Sequence, residues 1–424
     1  MIKTIFLIFI LFLSGTGFGQ EKPQPSINDL VAEALRNNPQ LKAANSQTLA
    51  EQTKVKQITA WDPPQVGISF YQTPIQSFPN PIKNGMETDY YIQQMFPFPG
   101  KLSNMGKSAE SNAAMYGEQY KELQREIIRE VKSDYYELYF VQKKIEINKE
   151  NQALLQQLTN ITAKQYQVGT GSQADMLRAQ TELSTLINDG VNLEKEKRNV
   201  ETMLNTVLNR PVDGTFPEIA SIEDTIPGWS FSQLSELAYE NRPELKAMKY
   251  NIKMNEAELA SSKLEYYPDI MVQLMYKNMT GTTNDFWSTM IGVDVPIAFW
   301  SKDKFSGKVE ENKININTAE EQFKASKNMV ASQVQNALVK IESNKNLIDL
   351  YKNTVIPQAQ QTLQSTLAEY QTGKTQFLMV IDAYKMVLKA KQDYYMSQMN
   401  YMQSQALLEQ AVGLDINQIK DRIK

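Results

Sequence analysis

The feature that most constrains this chain is that it contains itself twice. "YQVGTGSQADMLRAQTEL" runs from Tyr166 to Leu183, and "YQTGKTQFLMVIDAYKMVL" runs from Tyr370 to Leu388. Both open Tyr-Gln-Xaa-Gly, and both place an alanine ten residues after the glycine, Ala179 and Ala383, a shift of 204. "ALRNNPQLKAA" from Ala34 and "AYENRPELKAM" from Ala238 match at the same shift, which brings Pro39 onto Pro243 and Pro64 onto Pro268. "LNTVLNRP" from Leu204 aligns with "LEQAVGLD" from Leu408. A self-match of this length implies two copies of one structural unit. The shift changes only in the middle, where Pro97 of "MFPFPGK" pairs with Pro296 of "DVPIAFWSK", so length differences fall where loops absorb them.

Each copy reads helix, strand, strand, helix, helix. The first helix is expected over about Ile27 to Ala60. "PQVGISFYQTP" and "ETDYYIQQMFPF" alternate in character and flank a Pro/Asn/Gly-rich segment, the signature of a hairpin; "DIMVQLMYKNM" and "DFWSTMIGVDVPI" repeat it around "TGTTN". The strands suit a tilted membrane-spanning strand of about 9–11 residues. Long helices follow, about Lys101 to Tyr166 and Lys302 to Tyr370, the first about 100 Å in length. Pro357, the one proline within these two stretches, is expected to bend or break the second. The returning helices keep a 4-3 spacing, Ala383, Val387, Ala390, Tyr394 onward in one copy and Ala179, Leu183, Leu186, Gly190 onward in the other, as in a coiled coil.

Composition narrows the chemistry. The 424 residues include no cysteine and no histidine, which removes disulfides, thiol nucleophiles, His-based triads and Cys/His zinc sites. No cofactor is expected, and an enzyme would have to work with carboxylates, Lys, Tyr or Ser. The net charge of −4 argues against a nucleic-acid partner. "MIKTIFLIFILFLSGTGFGQ" has a basic start, an apolar run too short to span a bilayer and small residues before Gln20, a secretory signal peptide over residues 1–19. Without a cysteine the mature N-terminus offers no thioether for a lipid anchor. The expected division is a first repeat over 20–208, a Pro/Gly/acid-rich linker over 209–230, a second repeat over 231–414 and a tail over 415–424.

Four membrane-length strands do not close a barrel, since single-chain outer-membrane barrels begin at about eight strands and lipid tolerates no open edge. The exported, duplicated layout resembles the TolC family of outer-membrane efflux channels over about Ile27 to Leu414. The residues that carry it are "NNPQLKAA"/"NRPELKAM", the Pro64/Pro268 strand entries, "QMFPFPGK" and the two Tyr-Gln-Xaa-Gly turns. The resemblance implies a mainly α fold with a membrane β-barrel portion: a homotrimer with a 12-stranded barrel in the outer membrane of a Gram-negative bacterium and a long α-helical coiled-coil tunnel through the periplasm. It implies a passive exit duct, not an enzyme. The partners implied are a periplasmic adaptor protein, an inner-membrane pump of the RND type and outer-membrane lipid.

In that frame the two turns are hairpin tips. Gly169, Thr170, Gly171, Gly373 and Lys374 would meet the adaptor. Many family members carry two acidic rings six and nine residues after the second glycine; here these positions are Met379 and Asp382, so only the Asp matches. The same offsets in the first copy give Asp175 and Arg178, residues suited to pairing with neighbouring helices. Phe96, Trp287, Tyr71 and Tyr90 are candidates for an interfacial aromatic belt. "QMFPFPGK" looks most like channels serving heavy-metal cation efflux. The nineteen methionines could serve a soft metal or simply fill gaps. Drug or solvent efflux and type I protein secretion are the alternatives within the class. A secreted coiled-coil structural protein and a carboxylate-only hydrolase are those outside it.

Overall fold

In the computed structural model, residues 26–82, 85–219, 228–296 and 300–423 are described. The signal-peptide reading over residues 1–19 and the middle of the linker lie outside them. Each repeat begins with a short helix, α1 (Ile27–Asn37) and α5 (Phe231–Asn241). Both start in capping boxes, Ser26 with Asp29 and Ser230 with Gln233, each satisfying two otherwise orphaned backbone N–H groups. The helices α2 (Pro39–Thr59) and α6 (Pro243–Leu264) follow directly. The single helix expected over Ile27 to Ala60 is therefore two. Pro39 disfavours helical geometry at Asn38, whose ψ is 125°, and the Asn38 side chain accepts from the Gln40 and Leu41 N–H groups to restart the chain.

The strands β1 (Gln65–Tyr71), β2 (Glu87–Phe96), β3 (Ile270–Met279) and β4 (Phe286–Val293) form one antiparallel sheet in the order β1-β2-β3-β4. The two hairpins join through β2 and β3, Tyr90 opposite Tyr276. Below the sheet, α2, α3 (Lys101–Gln167), α6 and α7 (Lys302–Leu350) pack side by side in the same order, α2 on α3, α3 on α6, α6 on α7. The wall of helices thus prolongs the wall of strands.

Two helical hairpins extend away from this wall. The first pairs α3 with α4 (Gln173–Leu208), and the second pairs α7 and α8 (Ile356–Gln371) with α9 (Phe377–Val412). Between α7 and α8, Tyr351–Val355 forms a widened π turn. Pro357 sits at the start of α8, and the wide turn relieves the clash between its ring and the preceding carbonyls. The 4-3 seam predicted for α9 is buried at Ala383, Val387, Ala390, Ser397, Tyr401, Ser404, Leu408 and Ala411.

The tail over 415–424 contains a further helix, α10 (Ile416–Ile423), which buries Ile416 and Ile419 in a core shared with α5, α7 and α9. It is held by Glu409, which accepts from the Ile416 N–H at 3.0 Å and pairs with Lys132. Among the described residues no helix is long and apolar enough to cross a membrane.

Candidate functional site

The two tips are built by the same local chemistry. At the end of α3 the N–H groups of Thr170 and Gly171 reach back to the Gln165 carbonyl at 2.9 and 3.0 Å. At the end of α8 the Lys374 N–H reaches the Glu369 carbonyl at 2.9 Å. These bonds, reaching five or six residues back, need a left-handed residue between them, and Gly169 (φ 76°) and Gly373 (φ 70°) supply it. The helices then restart differently. The Ser172 hydroxyl caps α4 by accepting from the Asp175 N–H, whereas Gln376 gives α9 no side-chain cap.

The tips lie against each other. Leu155 and Leu158 of α3, Ala179 and Leu186 of α4, and Tyr370, Phe377, Val380, Ile381 and Tyr384 of the second hairpin form one buried cluster. The Tyr370 and Phe377 rings are 5.3 Å apart. Burial pushes the Tyr370 hydroxyl's pKa up, and the Asp175 carboxylate across the junction pushes it further. The Tyr384 hydroxyl is raised in the same way, by burial and then by Glu182 and Asp189 of α4. Neither hydroxyl has a hydrogen-bond partner among the described residues. Lys385 bridges the hairpins to Glu182 at 2.6 Å.

A cleft of about 730 Å³ opens between the tips. Thr170, Gly171, Asp175 and Arg178 line it from the first hairpin, and Gly373 and Phe377 from the second. Five of the predicted tip and aperture residues thus meet at one place. Asp175 is half-buried; Arg178 is exposed and has no ion-pair partner among the described residues. Lys374, Met379 and Asp382 stand outside the cleft, all exposed. Met379, Asp382 and Met386 share an exposed face of α9, while Met402 is buried in the core. The burial of Tyr370 in the joint against Phe377 was not anticipated from sequence. Its signal was the aromatic that opens both Tyr-Gln-Xaa-Gly motifs.

At the other end the register sorts the sheet into two faces. Ile68, Tyr90, Tyr276 and Trp287 lie opposite one another across all four strands and are all exposed. Val66, Ile92 and Leu274 continue this apolar face. Phe96, half-buried and edge-on to Trp61 at 5.3 Å, ends it beside the helices, about 20 Å from Tyr90 at 3.4 Å per residue. The opposite face carries Gln65, Ser69, Asp89, Gln93, Gln273 and Lys277. Tyr71 belongs to this polar face, opposite Glu87, with the Lys277 ammonium 5.8 Å from its ring. That position puts it on the other side of the sheet from Trp287 and Tyr90. Strand alternation places every second residue on the other side, and Tyr71 is an odd number of residues from Ile68.

The sequence matches the profile of the outer membrane efflux protein family twice, over residues 30–210 and 234–414. The chain belongs to this family. The second match begins and ends 204 residues after the first, so the family unit and the internal repeat coincide. The efflux protein is 21% identical to an uncharacterized protein of Haemophilus influenzae over 324 residues, 71% of this chain and 70% of that one. It is 22% identical over 179 residues to the cobalt-zinc-cadmium resistance protein CzcC of Cupriavidus metallidurans, 42% of each chain. Its fold is similar to that of the channel CusC (TM-score 0.80, 17% identity, 92% of this chain and 93% of that one). It is likewise similar to the outer membrane channel CmeC of Campylobacter jejuni (TM-score 0.75, 14% identity, 100% and 97%). The TolC-type resemblance drawn from the sequence is borne out. The efflux protein is a transport channel of the outer membrane and not an enzyme.

Proposed function

We propose that three copies of this efflux protein close a 12-stranded barrel and a continuous helical tunnel, forming the exit duct of a tripartite pump for heavy-metal cations. The observation that carries the reading is the sheet: four strands, β1 and β4 at its two edges, one face apolar and the other polar. Such a sheet is stable in lipid only when its edges are paired, and joining β4 of one copy to β1 of the next pairs them. The TolC-type resemblance sets the number of copies at three. The apolar face then meets lipid, with Tyr90, Tyr276 and Trp287 at one interface and Phe96 at the other.

The tips form the periplasmic mouth. The crest residues Gly169, Thr170, Gly171, Gly373 and Lys374 meet an adaptor that links the duct to an inner-membrane pump of the RND type. Three Asp382 carboxylates ring the opening and favour cations. The buried cluster around Tyr370 and Phe377 and the Lys385–Glu182 ion pair hold the two hairpins together and keep the mouth narrow. Cargo passes without chemistry, so selectivity and energy reside in the pump. The metal assignment is supported by the "QMFPFPGK" segment and by the likeness to CzcC, whose name records cobalt, zinc and cadmium resistance.

The test is growth of a deletion strain, with wild-type complementation, on copper, silver, zinc, cobalt, cadmium, detergents and antibiotics. Sensitivity confined to metals supports the assignment. Sensitivity to organic compounds alone transfers the duct to drug or solvent export.

A further inference from the structure

The strands β1 to β4 contain five methionines, Met95, Met271, Met275, Met279 and Met290. The register puts all five on the polar face. Met95 lies opposite Met271, Met290 opposite Gln273, Met275 opposite Tyr91 and Met279 opposite Glu87. Along β3 that face reads Met, Gln, Met, Lys, Met from 271 to 279. The apolar face of the same strands carries no methionine among the described residues. A methionine used as an apolar filler belongs where lipid or a core has to be met. Here the thioethers are kept off that face and set among glutamines and charges instead.

Three of them are neighbours at the end of the sheet beside the helices. Met95 and Met271 are direct cross-strand partners, a pairing that sets Cβ atoms about 4.5–5.5 Å apart. Met271 lies across Gly292 of β4, where an added Cβ would be 2.8 Å from the Met271 methyl carbon. The glycine thus opens a lane along which this side chain reaches towards β4. Met290 stands two residues before that glycine on the same face, a diagonal neighbour of Met271 at about 7–8 Å, and is 49% exposed. Each side chain has three rotatable bonds, so sulfurs from three strands can reach one ion. Lys277, the ammonium on this face, is about 20 Å further along β3 and is paired with Glu87 at 2.7 Å.

We propose that Met95, Met271 and Met290 form a binding site for a soft monovalent cation, Cu(I) or Ag(I), with Met275 and Met279 as further stations along β3. Thioether sulfur is neutral and polarisable and suits such ions. Zinc and cobalt favour imidazole, thiolate or carboxylate ligands. The chain has no histidine and no cysteine, and among the described residues no three acidic side chains converge as a metal would need. The inference rests on the exit-duct reading for its place. In the closed barrel the polar face lines the lumen, and three copies of the site ring the passage where the helical tunnel meets the barrel. The site narrows the heavy-metal cargo to soft cations, held at successive thioethers loosely enough to move on.

The experiment is equilibrium dialysis of the full-length protein in detergent against silver nitrate in chloride-free buffer, with bound silver read by mass spectrometry. Saturable binding is expected, weakened about tenfold or more by Met271→Leu and by Met290→Leu through loss of one of the ligands. Leucine keeps the volume and apolar character, and Met290 is exposed, so its folding does not depend on the sulfur. Met329→Leu, at an exposed position of α7, should leave binding unchanged. A thioether has no proton to lose, so binding should stay level between about pH 5 and pH 7. Binding unchanged in both strand variants overturns the proposal, as does equal weakening by Met329→Leu or displacement of silver by equimolar zinc. Silver binding is read on the purified protein and cargo on growing cells, so the two readings fail separately. Intact silver binding with sensitivity to organic compounds alone removes the cargo and keeps the site; metal sensitivity without silver binding removes the site and keeps the cargo.

Discussion

Tyr166 and Tyr370 occupy the same position in the two repeats, yet Tyr166 is 43% exposed and Tyr370 is 7% exposed. The duplicated sequence makes two like turns, and the packing makes them unlike. Only the second tyrosine is turned into the joint between hairpins, against Phe377 and near Asp175. Tyr370→Ala should therefore loosen the tip by about 3 kcal/mol, the cost of removing a buried ring. Tyr166→Ala should cost well under about 1 kcal/mol. Tyr370→Phe should be near neutral, because the hydroxyl has no partner to lose. Hydrogen exchange of the α8–α9 amides, compared across the three variants, measures this order.

Asp382→Ala removes the single acidic ring proposed for the mouth. Single-channel conductance in a planar bilayer should rise, and the cation preference read from the reversal potential should fall. Unchanged values would take Asp382 out of the aperture.

Gly373→Ala and Gly413→Ala both place a side chain at positive φ, 70° and 79°. At Gly373 an added Cβ meets open space, so the cost should be about 1–2 kcal/mol of backbone strain alone. At Gly413 it would lie 3.0 Å from the Asn241 carbonyl oxygen, and the penalty should be clearly larger. Denaturant midpoints of the two variants rank them.

Burial holds Asp134 of α3 protonated up to about 7, with Glu130 and Glu137 adding to the shift. Its Oδ2 has no partner among the described residues. The unfolded chain releases this proton near 3.8, so between that value and about 7 the folded state binds more protons than the unfolded one. Stability contributed by the protonated group is therefore full at acid pH, declines as pH rises through this window, and levels off above it. Asp134→Asn should flatten that decline in urea midpoints measured from pH 4 to pH 8.

Glu409→Ala should release α10. It leaves the Lys132 ammonium, 16% exposed, unpaired and the Ile416 N–H without its acceptor, a loss of about 3 kcal/mol or more. Limited proteolysis after residue 412 reads the detachment.

The large features were legible because they repeat or alternate. The 204-residue shift, the hairpins and the 4-3 seam of α9 each rest on many residues agreeing. The break at Asn38 was written in the Asn-Pro step and again in Arg242-Pro243, but the helical pattern runs straight across both. The helix α10 is too short to show a period, and its evidence is a single pair, Ile416 and Ile419, three positions apart. Which tyrosine faces the joint was not legible at all, since identical motifs receive their different surroundings from contacts across hundreds of residues.

Between the sheet and the tip, the second hairpin's outgoing path through α7, the π turn and α8 uses three residues more than α3 does. In a regular helix three residues turn the chain by about 300° and lift it by about 4.5 Å. The wider winding of the π turn takes up part of that excess, so the two tips of one chain are reached along outgoing paths of different build. Six tips in a closed ring of three chains would fall into two alternating classes, giving threefold symmetry that only imitates sixfold. A ring of six identical docking elements would then find two classes of seat, and its six subunits would be chemically equal yet mechanically distinct.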